Sequence, residues 1–201
     1  MNLTLYNSTN LELRINNIYQ INGIYHVTDL DIGHIAEIFN AELRFHSRKT
    51  KVYWDDDFCL VYLELDQSED EIRKDFFHEL GHIAMHVGNQ NKLPKTFVQY
   101  QEEQASHFQL YASMPIYMIE KFIYEAHTIA IFEKVLVEAF CLPILLVRKR
   151  IGQIQNRIYQ NQLDREWRKR KKPDTSYITA EYIKNLQAEL GRKWDDRYGG
   201  G

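Results

Sequence analysis

An α+β fold is predicted, with a small antiparallel or mixed sheet packed on a helical bundle, and three features of the sequence predict it. The first is a cluster of short β-forming segments at 41–45, 51–54 and 58–63, the last reading Phe58-Cys59-Leu60-Val61-Tyr62-Leu63. The second is a pair of long helical patterns, 69–87 and 97–113, joined by a polar loop that contains Pro94. The third is further helical spacing from 115 to 152, where Ile119, Phe122, Ile123, Ile129, Ile131, Phe132, Val135, Leu136 and Phe140 are the expected core.

Taken in order, residues 11–25 mix apolar and polar positions without a strong period and end in the turn dipeptide Asn22-Gly23, which suggests a short helix and a loop. Asp29 is the expected N-cap of a helix over 31–40, because Ile32, Ile35, Ala36, Ile38 and Phe39 recur at helical spacing. The three strand segments follow. Ser68-Glu69-Asp70-Glu71 has the form of a capping box and starts a helix that Gly88-Asn89 stops. The next long helix ends at Met114-Pro115. Beyond Gln153 the composition turns to Gln, Asn and charge, including the stretch Trp167-Arg168-Lys169-Arg170-Lys171-Lys172. The organisation expected is a domain over 1–152 and a polar, charged C-terminal appendage over 153–201, helical in parts.

Composition excludes several classes. The formal net charge of -3 lacks the basic excess of a protein built mainly to bind nucleic acid. The two cysteines, Cys59 and Cys141, fit none of the spacings of zinc ribbons or redox pairs, so a reduced, cytoplasmic setting is expected. Residues 1–10 have neither the basic nor the apolar region of a secretory signal. No apolar run reaches the roughly 18 residues of a membrane span.

The chemistry is concentrated in His78-Glu79-Leu80-Gly81-His82, an H-E-x-x-H sequence inside a segment that is helical by its own pattern. Residues four apart share a helix face, so both imidazoles can converge on one ion while Glu79 projects beside them toward a water. Zinc suits two imidazoles and a carboxylate with one position open, and Glu79 can take a proton from a zinc-acidified water and hand it to a leaving amine. The third ligand separates the possible layouts. A metzincin arrangement needs Gly at position 85 and His at 88, where this chain has Met85 and Gly88. A layout with a glutamate on the following helix finds Glu102, in Glu102-Glu103-Gln104-Ala105-Ser106. Glu103 is the competing ligand, about 100° around the helix, so only one of the two can point at the ion. Ser106, one turn after Glu102, is expected to face the site and orient a histidine.

These residues, with the trailing Met85-His86, Phe108 and the closing Met114-Pro115, resemble the ImmA/IrrE family of metallopeptidases over roughly residues 29–151. The resemblance implies a zincin-like, single-zinc endopeptidase that cleaves a helix-turn-helix transcriptional repressor in bacteria, their mobile elements or prophages. The alternative it implies is a zinc-containing regulator that binds such a repressor, or another protein, without cutting it. Carried over residue by residue, His78, His82 and Glu102 are the zinc ligands and Glu79 is the catalytic base. The chain departs from the family at Ser106, where Asn is common, at Gln109, where Ala is common, and at Ala112-Ser113, where Leu-Leu precedes Met-Pro.

Other residues have plainer readings beside functional ones. His86 lies four residues beyond His82 and can reach the site, but a histidine is also favoured at a helix end. His107, His127, Tyr100, Tyr111 and Tyr124 are candidate oxyanion donors with nothing to choose among them. The basic run 168–172, with Trp167 and Tyr177, offers a nucleic-acid contact, against which Asp164, Glu166 and Asp174 favour a solvated helix face. An extended substrate is expected to pair with a sheet edge formed by residues 52–65.

Overall fold

The computed structural model describes residues 3–54, 58–86, 94–169 and 175–198. Gly88 and Asn89, expected to stop a helix, and Arg170, Lys171 and Lys172 of the basic run lie outside the described residues. The chain divides into two units, Met1–Gln162 and Leu163–Gly201.

The first unit opens with helix α1, Asn10–Ile21, whose N-cap Thr9 accepts from the backbone N–H of Glu12 at 3.0 Å. It is one continuous helix where the sequence suggests only a short one, and the Asn22-Gly23 turn follows with Gly23 at φ +81°. Helix α2 is Ile32–Ile38, capped by Asp31 rather than Asp29, since the Asp31 carboxylate accepts from the His34 N–H at 2.8 Å. Asp29 instead accepts from the N–H groups of Tyr25 and His26, which hold its carboxyl below the usual range. Asn40, at φ 54°, takes the left-handed conformation that ends α2.

Strands β1 (Glu42–His46), β2 (Lys51–Trp54) and β3 (Cys59–Glu64) form a mixed sheet in the order β1-β3-β2. Strand β1 runs parallel to β3 with Leu43 opposite Val61, and β2 runs antiparallel to it with Val52 opposite Val61. Val61 and Leu63 alternate inward to the core and are fully buried. Because β3 is the central strand, the docking edge expected over 52–65 is corrected: only its β2 portion lies on an edge.

Helix α3, Glu69–Met85, packs against the sheet and against helix α4, Lys95–Ser113. Ser68 has the extended backbone of an N-cap, but its hydroxyl makes no capping hydrogen bond, so the expected capping box is incomplete. Glu71, its supposed partner, pairs with Lys74 one turn along. After Pro115 come the short helix α5 (Ile116–Ile119), a 3-10 segment Glu120–Glu125, then helices α6 (Ile129–Phe140) and α7 (Ile144–Lys169). In α6 the buried stripe is Phe132, Leu136 and Phe140, at helical spacing. Ile129 and Ile131, expected in the core, are 46% and 44% exposed: Ile131 turns away from that stripe, and Ile129, in line with it, is the first residue of the helix.

A buried polar network joins the first helix to α7. The Arg150 guanidinium, fully buried, donates to the Glu12 carboxylate, to Gln153 Oε1 at 2.6 Å, to the Tyr6 hydroxyl at 3.3 Å and to the Met114 carbonyl at 3.2 Å. Tyr6 donates in turn to Glu12 at 2.6 Å, and the guanidinium lies over the Tyr111 ring. Every charge in this cluster is therefore matched where water does not reach.

The second unit holds helix α8, Ala180–Tyr198, whose first turn is capped by Thr179 accepting from the Tyr182 N–H at 3.1 Å. Among the described residues no helix is long and apolar enough to cross a membrane.

Candidate metal centre

The site is built where α3 and α4 pack together. A Cβ added to Gly81 would sit 2.9 Å from both the Cα and the carbonyl oxygen of Ala105, so the two main chains are in contact there. One turn further along α4 and two turns back along α3, Gln109 Nε2 donates to the Lys74 carbonyl at 2.8 Å. Phe76, Phe77 and Leu80 bury the opposite side of α3 in the core, which turns His78 and His82 toward α4.

This brings His78, His82 and Glu102 together, each offering one ligand atom within 4.8 Å of the others. His78 Nε2 lies 3.2 Å from Glu102 Oε2 and 3.3 Å from His82 Nε2, and His82 Nε2 lies 3.4 Å from Glu102 Oε1. Glu103 stays on the exposed face of α4, as the rotation between adjacent helix positions requires. The cluster is a donor set able to hold a divalent cation.

Glu79 is half-buried beside the cluster and makes no hydrogen bond among the described residues. Burial raises its carboxyl to about 7, with the negative charges of Glu102 and Asp75 adding to the effect. Burial pushes the His82 imidazole down to about 4, against the pull of the Glu102 carboxylate and with help from His78 and His86.

The Glu79 shift has a sign that can be read in the metal-free protein. A carboxyl raised from 4.5 to about 7 on folding contributes stability that is full below pH 4.5 and is lost as the pH rises through about 7. Glu79→Gln removes that loss. In chelator, the stability of the variant minus that of the wild type is expected to grow from pH 4.5 to about 7 and then level off. Urea denaturation at several pH values measures it, and a difference independent of pH would refute the burial of the ionised group.

Two residues stand behind His82: His86, which the sequence reading allowed to reach the site, and Gln104, to which it gave no role. His86, 7% exposed, has Nδ1 3.4 Å from His82 Nδ1 and Nε2 3.1 Å from Gln104 Oε1. Ser106, expected to orient a histidine, makes no hydrogen bond to any of these rings. The signal for His86 was its spacing of four from His82, whereas nothing in the sequence pointed to Gln104. Of the oxyanion candidates, Tyr111 is committed elsewhere, its hydroxyl accepting from Gln153 at 3.1 Å and Arg157 at 3.0 Å. Tyr100, Tyr124, His107 and His127 are exposed and make no hydrogen bond to the cluster.

Comparison with known proteins finds two relatives from Bacillus subtilis (strain 168). The Phage-like element PBSX protein XkdA is 29% identical over 111 residues, 55% of this chain and 56% of that protein. The Uncharacterized protein YqaB is 26% identical over 114 residues, 57% of this chain and 66% of that protein. The chain thus matches less than two thirds of the length of either. A longer frame comes from the family whose domain is described as IrrE N-terminal-like, matched over residues 37–151, which take in the sheet, both site helices and all four residues of the H-E-x-x-H and glutamate set. By that match the chain belongs to the Peptidase_M78 family.

Proposed function

We propose that the protein is a single-zinc metalloendopeptidase in which His78, His82 and Glu102 hold the ion and Glu79 is the general base. The observation that carries this reading is the spacing of the donor atoms, 3.2, 3.3 and 3.4 Å. Ligand atoms about 2.0–2.1 Å from a tetrahedral ion stand roughly 3.3 Å apart. The cluster therefore has the dimensions of one face of a tetrahedron, and an ion held by it would keep a position for water or substrate. Two imidazoles and a carboxylate are also a donor set that suits zinc.

When bound, zinc supplies the Lewis acidity that makes a water nucleophilic near neutral pH and polarises the scissile carbonyl. Proton movement belongs to Glu79. Its carboxylate is unpartnered among the described residues and more basic than usual, so it takes the proton of the attacking water and returns it to the amine nitrogen as the C–N bond breaks.

The proposed substrate is a helix-turn-helix transcriptional repressor of a mobile element or prophage. The resemblance to ImmA/IrrE metallopeptidases and the phage-like element in the name of the XkdA relative support it. In this reading residues 1–152 carry the catalytic domain, residues 153–201 are an appendage to it, and the protein acts in the cytoplasm, where such a repressor is found. Failure of the zinc-loaded protein to produce fragments from any repressor of the same element would count against the substrate.

Metal content tests the site. Elemental mass spectrometry of the purified protein is expected to find about one zinc per chain, with little or none in His78→Ala and Glu102→Ala variants that keep the helical signal in circular dichroism. A folded wild type that contains no zinc and takes none up sinks the reading.

A further inference from the structure

The two nitrogens of His82 face different partners. Nε2 points at the cluster, 3.3 Å from His78 Nε2 and 3.4 Å from Glu102 Oε1, while Nδ1 faces His86 Nδ1 at 3.4 Å. The far nitrogen of His86, Nε2, meets Gln104 Oε1 at 3.1 Å. A neutral imidazole carries a proton on one nitrogen and a lone pair on the other, and an amide oxygen only accepts. Gln104 Oε1 requires the proton of His86 on Nε2, which leaves His86 Nδ1 bare and accepting. The proton between the two rings must then come from His82 Nδ1, and the lone pair of His82 is left on Nε2, aimed at the cluster. With the amide of Gln104 turned the other way, every step reverses and His82 Nε2 carries a hydrogen where a ligand needs a lone pair.

We propose that Gln104 and His86 form a relay that fixes His82 in its Nδ1–H tautomer and so presents Nε2 to a metal. Both are positioning residues: neither touches the ion or the substrate, and both act through the His82 ring. The proposal rests on the metallopeptidase reading for its purpose but not for its geometry, which is that of the protein alone. It also accounts for a buried histidine and a half-buried glutamine that proton transfer at Glu79 leaves unused.

The experiment uses the full chain with Gln104→Leu, Gln104→Glu and His86→Phe. Zinc affinity by chelator competition is expected to fall about 10–100-fold in Gln104→Leu and His86→Phe, the usual effect of losing a partner behind a metal-binding histidine, and to recover to within about threefold in Gln104→Glu, which keeps an accepting oxygen. Nitrogen NMR of the imidazole rings in the metal-free protein reads the tautomer itself. His82 is expected as Nδ1–H in the wild type and in Gln104→Glu, and as a mixture of tautomers in Gln104→Leu. If Gln104→Leu leaves His82 wholly Nδ1–H, with zinc affinity within about twofold of wild type, the relay is overturned. A wild type that takes up no zinc overturns the metallopeptidase reading instead, and the metal-free spectra still decide the relay.

Discussion

Replacing Glu79 by Gln is expected to lower the rate of the proposed repressor cleavage by about 10²–10⁴-fold, the range by which positioned general acid–base catalysis contributes. Zinc content should stay at about one per chain, since Glu79 is not among the three groups proposed as ligands. The amide has nearly the shape of the protonated carboxyl and is easily accommodated where burial already favours the neutral form. It cannot accept and return a proton. Cleavage followed by gel-resolved fragments, alongside elemental analysis of the same samples, measures both quantities. The result also separates the peptidase from a zinc-containing regulator that only binds. A regulator keeps its effect on the repressor in the variant, whereas a peptidase loses effect and fragments together.

The second large effect is on stability. Arg150→Met should cost about 3–5 kcal/mol, because removing one partner of a fully buried pair leaves the other charge without compensation. Glu12 would lose its guanidinium, and the Met114 carbonyl, Gln153 and the Tyr6 hydroxyl would each lose a donor. A domain of this size has about 5–15 kcal/mol in total, so the variant is expected to unfold at a much lower urea concentration. Glu12→Leu combined with Arg150→Met should restore most of the loss, since an apolar pair removes the unmatched charge along with its partner. A single variant within about 1 kcal/mol of wild type would show that Glu12 is not charged and buried in the way the network requires.

Local features of the fold were legible. The strands at 51–54 and 59–64 and the helices carrying the site follow from β-propensity and helical spacing, which depend on residues close in sequence. The meeting of His78, His82 and Glu102 was also anticipated, since two histidines four apart on one helix require little more than a carboxylate on its neighbour. Features that depend on partners distant in the chain were missed. Glu12 and Arg150 are separated by 138 positions, and no period links them. Gln104 was invisible because its role depends on which ring nitrogen it meets, a property of the α3–α4 crossing. Asp29 and Asp31 are both good caps in composition, and only the exact start of α2 decides between them. In α6 the apolar residues outnumber the places in the buried stripe, so hydrophobicity alone overfilled the core with Ile129 and Ile131.

The contact of Gly81 with the Ala105 main chain bears on how the proposed site would meet an ion. Where two helices are separated by side chains, their distance yields as those side chains change rotamer. Here backbone meets backbone, and the separation is as stiff as the helices themselves. The carboxylate on one helix and the imidazoles on the other are brought within reach while the protein folds, so the ordering entropy is lost before any cation arrives. A cation entering such a site has little left to organise beyond the last torsions of three side chains. Its affinity is governed by how well it matches a fixed frame, so selectivity among metals rests on ionic size and preferred coordination geometry more than on the pliancy of the protein.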